Sequence, residues 1–145
     1  MKMMIGNDQD IIAKSHQIRF EVFVDEQSIP QLLDHDGLDE HSEHIIVLVD
    51  EKTVATARLS RQQDDHAVMA RIAVSKAFRG RGIADKMIRA LLVHAKKSGL
   101  RTIEIHAHHY LQHYYEKFGF NYIRDVEIVG DHQLIEMALV LEAYV

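Results

Sequence analysis

Residues 79–84, Arg79-Gly80-Arg81-Gly82-Ile83-Ala84, join an apolar, strand-like run at 70–74 to a long amphipathic stretch at 85–97 whose spacing predicts a helix. A chain that turns from strand to helix in this way leaves the first backbone N–H groups of the helix without intrahelical partners. These groups lie at the positive end of the helix dipole, so the turn predicts a place for an anion such as phosphate. Gly80 and Gly82 carry no Cβ, which lets the main chain approach a ligand closely. The turn is not a P-loop, because no Gly-Lys-Ser/Thr closes it, and it lacks a full dinucleotide fingerprint. A tight strand–helix connection without a ligand has the same spacing, so the surrounding segments decide between the two.

Upstream, residues 2–5 read as a short strand, and Asn7 and Asp8 can cap a helix over 9–24 with an apolar stripe of Ile11, Ile12, Ile18, Val22 and Phe23. The pattern breaks near Pro30, and residues 34–43 form a polar, acidic, His-containing loop. Strands follow at 45–49, 53–59 and 67–74, the first two as a hairpin. In the helix after the glycine turn, Ile83, Met87, Ile88, Leu91, Leu92 and Ala95 recur at helical spacing until Gly99 stops it. A strand at 102–107 puts Ile103, Ile105 and Ala107 on one face and Glu104 and His106 on the other. A short helix at 110–118 and two strands at 122–129 and 134–141 complete a single α/β domain over 1–145, with a mixed sheet of antiparallel hairpins around a strand–helix–strand unit.

Composition removes several classes of function. No apolar run reaches the roughly 18–20 residues of a membrane span and the N-terminus has no signal-peptide core, so the expected location is cytoplasmic, without a membrane partner. A net charge of -5 argues against nucleic acid as a partner. The absence of cysteine rules out disulfides, thiolate metal sites and a covalent cysteine intermediate. His106 and His108 share a strand face and His109 and His113 have i, i+4 spacing, but no clear carboxylate partner accompanies them; no metal is expected.

The order strand, Arg79 to Ala84, helix, strand, then Tyr114-Tyr115-Glu116-Lys117-Phe118-Gly119-Phe120 resembles the GNAT superfamily of N-acetyltransferases. That family carries a phosphate turn Gln/Arg-x-x-Gly-x-Gly/Ala, matched by Arg79, Gly82 and Ala84, and about thirty residues later an aromatic-Tyr-Glu-x-x-Gly-Phe box. The front half is similar to the ElaA-like and YjcF-like branch, on Arg19, Val22, Phe23, Glu26, Gln27, Pro30, Asp36, Asp39 and His44.

The resemblance implies the GNAT fold, with a mixed, mostly antiparallel sheet splayed at the acyl-CoA site, and acetyl transfer from acetyl-CoA to an amine by direct attack. It places the cofactor on the backbone of Arg79, Gly80, Arg81, Gly82, Ile83 and Ala84, and on the main chain of Ile72, Ala73 and Val74. Lys76, Arg79 and Arg81 are close enough in sequence to offer charge to phosphates. Tyr115 occupies the general-acid position, while Tyr114 is left to packing. His108 stands where the family has Asn and this branch Gln, and an imidazole can still donate a hydrogen bond to the cofactor. No general base declares itself, since Met69, Ala70 and Arg71 replace the strand glutamate of many relatives. Glu26, Asp36, Asp39 and His44 are the acceptor-side candidates, and the acidic loop suggests a small, cationic amine. An acyl-CoA-binding sensor that has lost chemistry is the alternative, with an acyl-homoserine-lactone synthase a weaker third. A homodimer is left open.

Overall fold

The computed structural model describes residues 1–141. The chain divides into two compact units that interleave in sequence: Met1–Ser60 with Ala70–Leu91, and Arg61–Met69 with the chain from Leu92 onward.

The first unit opens with β1 (Lys2–Gly6) and α1 (Gln9–Arg19). Asp8 caps α1, its carboxylate accepting from the Ile11 amide at 3.0 Å. Ile11, Ile12 and Ile18 are buried, as the periodicity requires. At Arg19 the winding changes, and Phe20–Glu26 is a π-helix in which the Gln27 N–H donates to the Val22 carbonyl, five residues back, at 3.1 Å. The expected helix over 9–24 therefore ends early as an α-helix and continues as a wider coil. Phe23 packs against a small core of Ile18, Val22 and Ala73. The expected loop at 34–43 is not structureless: α2 (Gln31–Asp34) leads into it and a 3₁₀ turn, Asp39–His41, lies inside it.

β2 (Glu43–Val49) pairs antiparallel with β1 on one side and with β3 (Lys52–Gln63) on the other. β3 runs past its expected end at Leu59, and its residues 53–60 are all buried. β4 (His66–Val74) follows. Within it Arg71 takes a φ of 57°, a left-handed backbone that costs a non-glycine residue about 1–3 kcal/mol. α3 (Ile83–Lys97) buries Ile83, Met87, Ile88, Leu91, Leu92 and Ala95, the stripe read from the sequence. Each of the larger side chains contributes about 1.5–3 kcal/mol by leaving water. The helix stops at Gly99, whose φ is 87°, with the Leu100 N–H donating back to the Ala95 carbonyl at 3.1 Å.

In the second unit the start of β4 pairs in parallel with β5 (Thr102–His108) at three positions, His66↔Thr102, Ala67↔Ile103 and Val68↔Glu104. The described ladder ends there, although β4 runs on to Val74 and β5 to His108. β5 pairs along its whole length with β7 (His132–Val140), antiparallel. β6 (Asn121–Val129) pairs with β7 and has register breaks between Tyr122 and Arg124 and between Asp125 and Ile128. The expected helix at 110–118 is a 3₁₀ turn, His109–Leu111, followed by α4 (Gln112–Glu116). The strand order is β1-β2-β3-β4-β5-β7-β6, a mixed and mostly antiparallel sheet of seven strands.

Candidate active site

β4 delivers the chain into the glycine turn through Ser75 and a 3₁₀ turn, Lys76–Phe78. Gly80 and Gly82 have φ of 76° and 77°, and a Cβ on either would meet nothing within 4 Å. Glycine is therefore demanded by the backbone conformation, and the space over the turn is open to a ligand. Gly82 is the residue before α3, and its carbonyl accepts from the Lys86 N–H at 3.2 Å. Gly82 has no side-chain oxygen to cap the helix, and the first turn of an α-helix leaves backbone N–H groups that the helix itself does not satisfy. Lys76 and Arg81 are exposed around the turn, with the Arg81 guanidinium 5.1 Å from the centre of the Phe78 ring.

Arg79 points elsewhere. Its Nη1 and Nη2 donate to Oε2 and Oε1 of Glu26, both at 2.6 Å, and its Nε donates to the Val74 carbonyl at 2.9 Å. The hydrogen bond from Arg79 holds the Glu26 carboxyl below its ordinary range, and the same bond raises Arg79.

Ile72, Ala73 and Val74 follow the kink at Arg71, on the part of β4 beyond the described ladder to β5. Ile72 and Val74 are half-buried and Ala73 is buried, so what this edge offers is main chain: the alternating N–H and C=O groups that a peptide-like arm can pair with.

In the second unit, Tyr115 of α4 is buried, edge-on to Tyr114 and Phe120 with ring centres 5.1 and 6.0 Å away. Burial pushes its phenol up to about 12, so it keeps its proton through the neutral and moderately alkaline range. His108 ends β5, stacked on Tyr110 at 5.3 Å and edge-on to His132 at 4.9 Å. Burial, then the neighbouring His132, lowers its pKa. Its Nδ1 is enclosed and has no hydrogen-bond partner among the described residues. Enclosed in this way, that nitrogen is not the one a ligand would meet.

The carboxylate partners that the histidines lacked in the sequence do exist. Glu104 accepts from His106 at 2.5 Å and from His66 at 3.1 Å, and Glu136 pairs with Arg124 at 3.0 Å. Glu104, His106 and Glu136 each bring a possible ligand atom within 4.8 Å of the others. Every carboxylate of this group already has a cationic or imidazole partner, and the arrangement reads as an ion-pair ladder across β4, β5, β7 and β6.

The acceptor-side candidates fall into a network in the first unit. Arg19 is fully buried; its Nε donates to Asp34 at 3.0 Å and its Nη1 to Asp39 at 2.9 Å. Arg58 holds Asp36 at 2.7 and 2.8 Å and Asp39 at 3.1 Å. Arg71 reaches Asp34 at 3.0 Å and Asp36 at 3.1 Å, and His16 adds a contact to Asp39 at 2.8 Å. Burial opposes ionisation of Asp36 and Asp39, but Arg58 on the first and Arg19 on the second outweigh it, and both stay below the usual carboxylate range. His44 is completely buried and its Nε2–H donates to the Asp39 carbonyl at 2.9 Å; burial holds it below its ordinary pKa. Asp36, Asp39 and His44 thus lie together, while Glu26 stands with Arg79. Sequence reasoning placed Asp34 in the acidic loop but missed Arg58 and Arg71 as its partners. The available signal was Arg58 itself, the one charge in the stretch 53–59, between Ala57 and Leu59.

A strand that runs past its described ladder into a glycine-lined helix N-terminus is the layout of an acyl-CoA-dependent transferase. The match to the acetyltransferase (GNAT) family model spans residues 10–120, and the chain belongs to this family. It is 30% identical over 129 residues to the uncharacterized N-acetyltransferase YjcF of Bacillus subtilis, covering 89% of this chain and 91% of that one. It is 32% identical over 125 residues to ElaA of Escherichia coli, covering 76% and 74%, and the crystal structure of ElaA superimposes with a TM-score of 0.85 over 95% of this chain and 98% of that one. An acyl-CoA N-acyltransferase from Pseudomonas aeruginosa superimposes with a TM-score of 0.86 at 26% identity, over 97% of this chain and 100% of that one. The expected fold and the ElaA/YjcF-like branch are thereby established. No helix among the described residues is long and apolar enough to cross a membrane.

Proposed function

We propose that the protein transfers an acetyl group from acetyl-CoA to the primary amine of a small molecule, by direct attack. The observation that carries this reading is the continuity of β4 with the turn. Past Val68 its main chain leaves the described β5 ladder, and it then enters a turn whose glycines hold φ of 76° and 77° ahead of α3. Ile72, Ala73 and Val74 would hold the pantetheine arm by main-chain hydrogen bonds. Arg79 to Ala84 would hold the pyrophosphate through backbone N–H groups, with up to about 2 kcal/mol from the helix terminus. Acetyl-CoA supplies an activated thioester; the residues of the chain orient it, exclude water and return a proton.

Tyr115 is the proposed donor of that proton to the leaving thiolate. Its raised pKa keeps it charged with a proton at working pH. His108 is also proposed to contact the cofactor, at the position where this branch has Gln. Asp34, Asp36 and Asp39 are matched by three guanidinium groups, so Asp36 and Asp39 shape the front of the first unit and supply little net charge to attract a cation. The acceptor is accordingly proposed as a small primary amine, with no requirement for a second positive charge.

The test follows free CoA release from acetyl-CoA over a panel of amines, with binding measured in parallel. Release with at least one amine, and its loss in a folded Gly82→Glu variant that no longer binds CoA, is the expected outcome. Tight CoA binding with silence across the panel would favour the sensor.

A further inference from the structure

Glu26 and Arg79 lie 53 residues apart and form a two-point contact at 2.6 Å on each arm. With Nε on the Val74 carbonyl, all three nitrogens of the Arg79 guanidinium are engaged. The first residue of the phosphate turn therefore braces the chain and does not present its charge over the turn. Glu21 does the same one step earlier, accepting from the Ser75 hydroxyl at 2.6 Å, while the Ser75 N–H donates to the Val54 carbonyl at 2.8 Å. Two carboxylates from one segment thus grip both ends of the connection between β4 and the turn.

The π-helix explains how one segment reaches both. Residues five apart on an α-helix are rotated roughly 140° from each other. The i→i+5 winding of Phe20–Glu26 carries them back toward one side, so Glu21 and Glu26 face the same stretch of chain. The pair is half-exposed, at 39% for Arg79 and 32% for Glu26, and exposed ion pairs add little to global stability. What a rigid two-point contact does provide is geometry.

We propose that Glu26 is a positioning residue of the cofactor turn, holding Arg79 so that the backbone donors of 80–84 are fixed for pyrophosphate, while Lys76 and Arg81 are the side chains left to meet phosphate charge. This rests on the reading that the turn binds acyl-CoA. It also moves Glu26 from the acceptor to the cofactor.

Glu26→Gln, Arg79→Gln and the double variant, with CoA and dephospho-CoA as probes, test it. Glu26→Gln is expected to weaken both ligands about tenfold, the scale of a lost charge-assisted hydrogen bond. The loss should be the same for both, because the pyrophosphate is common to them. KM for acetyl-CoA should rise with kcat little changed. Arg79→Gln and the double variant should lose no more than Glu26→Gln, because the two side chains act as one unit. Tighter CoA binding in Glu26→Gln, or a much larger loss in Arg79→Gln than in Glu26→Gln, would make Arg79 a phosphate ligand and overturn the brace. Hydrogen exchange of the ligand-free protein reads the brace without any cofactor. Faster exchange of the amides at 79–83 in Glu26→Gln is expected, and unchanged exchange overturns the brace whatever CoA does. A wild type that binds no CoA overturns the proposed function alone.

Discussion

Tyr115 is held at 7% exposure among aromatic rings, and its phenol is pushed up to about 12. An acid of that kind loses nothing as the pH is raised to free the acceptor amine. The rate with saturating acetyl-CoA should rise with pH until the amine is neutral and then stay level to at least about pH 10, the ordinary tyrosine pKa. A fall well below that pH would point to another group as the donor. Tyr115→Phe keeps the ring and its packing, so kcat should drop at least about tenfold with KM for acetyl-CoA little altered. Equal kcat, with chemistry shown to limit the rate, would remove Tyr115 from the reaction. At Gly82 the reasoning is different. A Cβ there has room but the φ of 77° disfavours it, so Gly82→Ala should cost about 1 kcal/mol in stability, read by urea unfolding.

Among the elements, α1 and its π-helical continuation do two jobs. The junction carries Arg19 into the interior, and the π-helix carries Glu21 and Glu26 to the chain that leaves β4. Arg19→Leu strips Asp34 and Asp39 of a fully buried partner and should cost about 3–5 kcal/mol by denaturant titration. Asp36→Asn/Asp39→Asn should also unfold more readily, while its preference between a cationic amine and a neutral isostere stays that of the wild type. A switch in that preference would return the loop to substrate selection.

The stripe of α3, the turn and the caps were legible because each is written in neighbouring residues: Ile83 to Ala95 at helical spacing, Gly80 and Gly82, Asp8 before α1. The change of winding after Arg19 was not. It accompanies a buried guanidinium whose partners, Asp34 and Asp39, are 15 and 20 residues away, and no local pattern carries such a contact. The contact of Glu26 with Arg79 was hidden for the same reason, the two being 53 residues apart. The extension of β3 beyond Leu59 was missed because the polar residues Ser60 to Gln63 carry no strand-like alternation of apolar side chains, while the strand continues through them.

At the scale of the molecule, the titrating groups act with one sign on the acid side. His44, Asp36, Asp39 and Glu104 all have folded-state pKa values below their ordinary ones. Each therefore contributes stability that is complete above its unfolded pKa and is lost as the pH falls through the folded one. Stability should begin to decline below about pH 6.5 as His44 is forced to charge, and more steeply below about pH 4 as the carboxylates protonate. Tyr115 has the opposite sign; its share is complete below about pH 10 and is lost toward about 12. A plateau between about pH 7 and 10 is the expected profile of the thermal midpoint. His44→Asn should lose part of the first acid decline, His108 carrying a share of the same sign, and a wild-type curve flat down to pH 4 would contradict the assignment.

The two register breaks in β6 bear on how the protein behaves when concentrated. Only Val126 of that strand is shielded, and Ile123, Ile128 and Val129 lie open to solvent, which in a straight strand would be a template for a neighbouring chain. Ile123 and the stretch before Ile128 bulge the ladder, so the outer row of N–H and C=O groups has no long evenly spaced run. Crowding is expected to be resisted here by backbone shape more than by repulsion between charges. Light scattering should accordingly stay flat as salt is raised to about 1 M, where fields between surface charges reach only about 3 Å.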